Sequence, residues 1–228
     1  VPRMEVLVEV HPKQKMEKVE KMIEIISPFD GYDIPDAALG EPSVLPSALG
    51  VKIRERLGES KRIIVNQRLA DVNELFVRSL AITAKLFSFD VAFTKGDKPR
   101  FGKEVTHLTS EKAVEIAKGY GVRSGAMVSL RKTKEEILRR LDTQADFFLA
   151  LHFNSLSSLE GLEKERIIPY IIVKTDKNTE LIKGISQPSF EEREVPLLIQ
   201  DLDVIGVRSV LLSAPADLDF FRKIAKIL

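Results

Sequence analysis

Apolar residues recur along this chain with two alternating periods, and the alternation predicts its architecture. "MEVLVEV" (4–10) switches between faces at every residue, as a strand does, and "KMEKVEKMIEIIS" then places Met16, Val19, Met22, Ile23 and Ile26 at helical spacing. "FDGYDIP" reads as a short second strand before a helical stretch around "SALGVKIRERLG", and "RIIVNQ" (62–67) as a clear third. "VNELFVRSLAITAKLF" follows as a helix with Asp71 as its expected cap and Leu75, Phe76, Leu80 and Ile82 as its expected apolar face. "FDVAFTK" (89–95) leads to a helix capped by Thr109 or Ser110 and ended by Gly121. "SGAMVSL" precedes "TKEEILRRLDTQA", where Thr133 and Glu136 fit a capping box.

The nearly all-apolar "DFFLALHF" (146–153) fits a strand covered on both faces. "IIPYIIVK" (167–174) and "RSVLLSA" (208–214) complete the strands; "SQPSFEEREVPLLIQDLDVIG" between them passes from loop to helix, and "DLDFFRKIAKIL" is the last helix. The sum is eight strand–helix units. Each parallel crossover needs a helix, so this order predicts an α/β fold, a (β/α)8 TIM barrel, as a single domain over 1–228.

Composition narrows the function. The 228 residues suffice for a large core, and a net charge of +1 with no long block of like charge leaves no nucleic-acid footprint. No apolar run approaches the ~20 residues that span a bilayer, and no signal peptide is visible, so the expectation is a cytoplasmic protein without a membrane partner. Cysteine is absent, which removes disulfides and thiolate chemistry. Charged residues at 30%, rich in Lys and Glu, lean towards a thermophile.

Barrel chemistry sits at the C-terminal strand ends. The polar residues there are Glu9 and His11, Asp33 and Asp36, Asn66 and Gln67, Lys95 and Asp97, Ser129 and Arg131, His152 and Asn154, and Lys174 and Asp176. In the first strand Val6, Val8 and Val10 suit the helix side, so Leu7, Glu9 and His11 face the interior. A carboxylate there serves either chemistry or a structural ion pair. "AFTKGDKPRFGKE" (92–104) is not a phosphate loop: five residues separate Gly96 from Gly102, and Glu104 stands where a hydroxyl is needed. It is either a solvated turn or a mouth loop presenting Lys95 and Asp97. His11, His107 and His152 lack metal-ligand spacing, so no metal is expected, and no Gly-x-Ser-x-Gly elbow or Gly-x-Gly-x-x-Gly fingerprint is present.

The order "VLVEVHPK", "VNQRLADVNELF", "AFTKGDKP", "SGAMVSL", "LDTQADFFLALHF" resembles methylenetetrahydrofolate reductase over residues 5 to 155. That resemblance implies a flavin-dependent oxidoreductase of one-carbon metabolism, with FAD and an electron donor such as NAD(P)H, reducing a methylene-tetrahydropterin to its methyl form. It implies Glu9 as the catalytic acid, Asp97 as a catalytic carboxylate beside the flavin, and Lys95, Gly96, Asp97 and Arg140 as cofactor-binding residues. The sequence departs from the family pattern at "GYDIPDAALGEPS", at "MVSLRKT" and at Ala150-Leu151. The alternative is therefore a non-redox barrel relative that binds a pterin or a partner protein without flavin. A homo-oligomer or a partner subunit is compatible with either.

Overall fold

A computed structural model describes residues 3–228; Val1 and Pro2, the start of the expected domain range, lie outside the described residues. Nine strands and eight α-helices are found among them: β1 (Glu5–Glu9), α1 (Met16–Ile26), β2 (Gly31–Ile34), α2 (Pro46–Leu57), β3 (Arg62–Arg68), α3 (Glu74–Phe87), β4 (Asp90–Thr94), α4 (Ser110–Gly119), β5 (Ser124–Ser129), α5 (Lys134–Leu141), β6 (Phe147–Leu151), β7 (Ile167–Lys174), α6 (Thr179–Lys183), β8 (Phe190–Glu191), α7 (Val195–Val204), β9 (Ser209–Ser213) and α8 (Leu218–Ala225). The sheet runs β6-β5-β4-β3-β2-β1-β9-β7, and the β6–β7 pairing closes it; two-residue β8 hangs on the end of β7. All pairings are parallel. The eight-stranded barrel expected from the alternation is present.

Side chains sort as the strand period requires. Val6, Val8 and Val10 join the large apolar layer between sheet and helices, whereas Leu7 packs inside the barrel with Ile64, Ala92, Phe147, Leu149, Ile168 and Leu211. The same inward face of β1 carries Glu5 below Leu7 and Glu9 above it. Glu5 meets Arg62 at 2.7 Å, and Arg62 also binds Asp90 at 2.8 Å while lying 5.0 Å from the Phe147 ring centroid. An ionic layer thus closes the bottom of the barrel, an apolar layer fills its middle, and polar residues remain at the top. Gly31 of β2 makes room for this arrangement, since a Cβ there would stand 2.7 Å from Leu7 and 2.9 Å from Arg62.

Three local expectations change. Asn73, not Asp71, caps α3 by accepting the Phe76 N–H; Asp71 is drawn instead to Arg68 at 2.6 Å. The buried face of α3 is Val77, Leu80, Ala81 and Ala84, and Leu75 and Ile82 point to solvent, because the sheet lies one position round from the apolar stripe of the sequence. The sixth unit has no α-helix: a 3-10 stretch, Leu156–Leu159, joins β6 to β7, and the seventh unit carries both α6 and α7. The expected cap at Thr109 and the capping box of Thr133 with Glu136 are both formed. Among the described residues no helix is long and apolar enough to cross a membrane.

Candidate active site

The strand order sets β1 beside β2, and their register pairs Glu9 with Asp33. Two acidic side chains therefore stand next to each other at the mouth of the barrel, under a cavity of about 1150 Å³ that both line. Their surroundings differ in kind. Glu9 Oε1 accepts from the Tyr170 hydroxyl at 2.9 Å and from Ser213 Oγ at 2.9 Å, and meets His11 Nε2 at 3.1 Å. All these contacts fall on one oxygen, which leaves Oε2 without a protein partner among the described residues. Asp33 is buried, and its Oδ1 accepts a single bond from Asn66 Nδ2 at 2.7 Å. Asn66 is in turn fixed by the Ile34 carbonyl at 3.0 Å.

These environments drive the two carboxyls apart. Burial alone would raise the Glu9 pKa, but the hydrogen bond and charge of His11, joined by Ser213 and Tyr170, hold it below the ordinary carboxylate value. Burial and then the neighbouring Glu9 charge push Asp33 from 3.8 up to about 8. The opposite displacements make Asp33 the more strongly proton-binding member of the pair and Glu9 the more readily ionised one. The hydrogen bond to Glu9 raises His11 against the opposing effect of its own burial. Tyr170 is pushed well above its ordinary value by burial and by Glu9, so its hydroxyl remains a donor.

The opposite wall comes from β5 and β6. Ser129 Oγ and His152 Nδ1 lie 2.9 Å apart, and burial followed by the Arg131 charge lowers the His152 pKa. His152 adopts a left-handed φ of 61°, a strained conformation outside glycine, and its backbone N–H is held by Gln187 Oε1 at 3.1 Å. Lys95, Arg131 and Lys132 put positive charge on the rim.

The sequence-derived site is only partly gathered here. Glu9, Lys95, Gly96 and Asp97 all line the central cavity. The turn carrying the last three is fixed by Arg68, whose Nη2 donates to the Asp97 carbonyl at 2.6 Å, and Gly96 has a φ of 80° with Arg68 packed where a Cβ would stand. Arg140 is elsewhere. Its Nε donates to the Met127 carbonyl, and it lines a separate cavity between α4, α5 and β5, outside the barrel. Of the other strand-end residues, Asp33, Asp36, Asn66, Arg131 and His152 reach the central cavity, while His11, Gln67, Ser129, Asn154, Lys174 and Asp176 do not line it. Tyr170, Ser213 and Gln187 were not singled out from sequence. Alternation could have found the first two, because Tyr170 follows Ile168 and Ser213 follows Leu211 on the inward face. Among the described residues no group of three or more His, Asp or Glu side chains is arranged to hold a metal ion.

No protein-family model matches the chain, and no curated protein matches it. Solved structures with similar folds include oxaloacetate acetylhydrolase in complex with the inhibitor 3,3-difluorooxalacetate, at 11% identity and TM-score 0.62 over 98% of this chain and 77% of that one. They also include 2,3-dimethylmalate lyase, a PEP mutase/isocitrate lyase superfamily member, at 13% identity and TM-score 0.57 over 92% and 74%. The tryptophan synthase complex from Pyrococcus furiosus matches at 11% identity and TM-score 0.60 over 98% and 95%. At such identities the likeness shows the fold alone.

The expected methylenetetrahydrofolate reductase relationship is corrected by these findings: the similar structures bear the names of a hydrolase, a lyase and tryptophan synthase, and the family implied by the short motifs is not matched. The flavin-dependent oxidoreductase reading, FAD and the nicotinamide donor go with it. The geometry agrees. Arg140, expected on the cofactor with Lys95, Gly96 and Asp97, lines a separate cavity outside the barrel while those three line the central one.

Proposed function

We propose that this protein is a non-redox barrel enzyme that moves protons on a small carboxylate substrate, in an addition–elimination or carbon–carbon cleavage reaction. One observation carries this reading: adjacent Glu9 and Asp33, with pKa values displaced in opposite directions, form a ready base and a ready acid at neutral pH. Glu9 Oε2 takes a proton from carbon or hydroxyl, while Oε1 stays fixed by its three partners. Asp33 gives its proton to the oxygen on which charge develops. Lys95, Arg131 and Lys132 attract the substrate's carboxylate, and neutral His152, oriented by Ser129, receives its polar groups on the far wall. The names of two similar folds, which refer to oxaloacetate and to 2,3-dimethylmalate, supply the substrate class to try first. We read the whole chain as one domain built around this site.

The test is proton exchange in D2O, followed by NMR, with malate, oxaloacetate and 2,3-dimethylmalate. The native chain is expected to speed exchange or cleavage of at least one of them, and Glu9→Gln to slow that rate by ~10²-fold or more. Equal rates in the two proteins, or none above buffer across the set, count against the reading. A second reading, a barrel that binds a pterin or a partner without flavin, draws on the size of the cavity and on Leu39, Leu151 and Leu181 among its walls. A reduced pterin that raises the melting temperature, while no acid in the set exchanges protons, would favour it.

A further inference from the structure

A second cavity, of about 420 Å³, lies beside the first between the end of β1, α1 and the loop entering α8, and Glu9 lines both. Met22, Ile25 and Phe221 close it from below, and Lys13, Lys18, Lys21 and Lys177 stand around it. Lys177 is already engaged, by Asp219 at 2.5 Å and Asp217 at 3.9 Å. Asp217 is engaged as well, its Oδ1 accepting the Phe220 N–H at the start of α8. The other three lysines have no ion pair or side-chain hydrogen bond among the described residues. Lys18 and Lys21 are three apart on α1 and share one face.

Lysines that point into bulk water need no partner. These differ in bordering a walled cavity that leads to Glu9. Four lysines against Glu9, Asp217 and Asp219 leave a formal charge of +1, and His11 on the same wall adds another when protonated. Ala216 lines the cavity too, with a left-handed φ of 58° that is unfavourable outside glycine, so its surroundings hold the loop in this shape. An excess of positive charge over an apolar floor is the chemistry of an anion subsite.

We propose that this cavity holds the phosphate or carboxylate end of a substrate whose reacting end meets Glu9. The inference rests on the reading of Glu9 as the base, and extends it from a compact acid to one with a second anionic group. Calorimetric titration of the whole chain with inorganic phosphate and, separately, with succinate distinguishes the two anions. One of them is expected to bind, and the double change Lys18→Met with Lys21→Met should weaken it about tenfold, while Lys112→Met on α4 leaves it unaltered. Binding of neither ion to the native chain, or equal binding by the double variant, overturns the proposal. Proton exchange by the same double variant on the short acids judges Glu9 separately. A chain that binds the ion yet exchanges no protons keeps the anion site and loses the Glu9 assignment.

Discussion

Asp33→Asn should abolish proton exchange by ~10²-fold or more while making the protein more stable in alkaline solution. Both effects come from one displaced proton. Asn cannot donate an acidic proton, but it keeps the shape of the side chain and an oxygen for Asn66 Nδ2. The native Asp33 binds its proton more tightly folded, at about 8, than unfolded, at 3.8. Its contribution to stability is therefore complete below pH 3.8 and declines as the pH rises through about 8, because the folded state retains a proton that the unfolded state has lost. Between pH 5 and pH 8 the native chain should lose about 3–4 kcal/mol relative to Asp33→Asn, from ~1.36 kcal/mol per pH unit. Denaturant titrations of both proteins at the two pH values measure this. Parallel pH dependences would mean that Asp33 is ionised in the folded state at neutral pH.

Arg62→Met should give the largest loss of stability among single changes in the barrel floor, roughly 3–5 kcal/mol. Arg62 answers Glu5 at 2.7 Å and Asp90 at 2.8 Å, and its guanidinium lies against Phe147. Removing it leaves two carboxylates facing each other in a confined space, with Arg123 3.8 Å from Asp90 and more exposed. Neutralising both acids in the same protein, with Glu5→Gln and Asp90→Asn, should recover most of the loss, since the unpaired charges and not the missing contacts cause it. A triple variant as unstable as the single one would assign the effect to packing around Phe147 instead. Proton exchange at the top of the barrel should persist in any folded variant.

Much of this molecule is legible in its sequence, and the failures have physical causes. The three valines of β1 opposite Leu7 and Glu9 announce which face is inside, and the barrel follows from eight such signals in order. The missing helix of the sixth unit was not legible: "NSLSSLEGLEKER" has both loop composition and scattered leucines, and only packing of Leu159 and Leu162 settles its course. Asp71 looked like a cap because local rules see only the nearest helix, whereas Arg68 claims it as an ion-pair partner. Glu9 could be found from alternation, but its charge state could not. Its partners Tyr170 and Ser213 lie 161 and 204 residues away, and Asp33 becomes its neighbour only through the β1–β2 register.

The turn "TKGDKP" shows how a short motif misleads. A strand that ends in a tight bend needs a residue tolerant of positive φ, as Gly96 is, and polar neighbours that face water or a ligand. Many barrels meet those needs with similar residues. Here the turn is held by Arg68 through a backbone carbonyl, an interaction that requires no particular side chain at position 97.

The most direct measurement is NMR titration of the side-chain carboxyl carbons in the native chain, with Glu9→Gln and Asp33→Asn used to assign the two signals. Asp33 is expected to titrate near 8 and Glu9 below the 4.5 of an ordinary glutamate, so that a single proton is shared out unequally across the neutral range. Two carboxyls that both titrate near 4 would contradict this, since both would then be ionised at neutral pH and no carboxylic acid would remain to donate a proton.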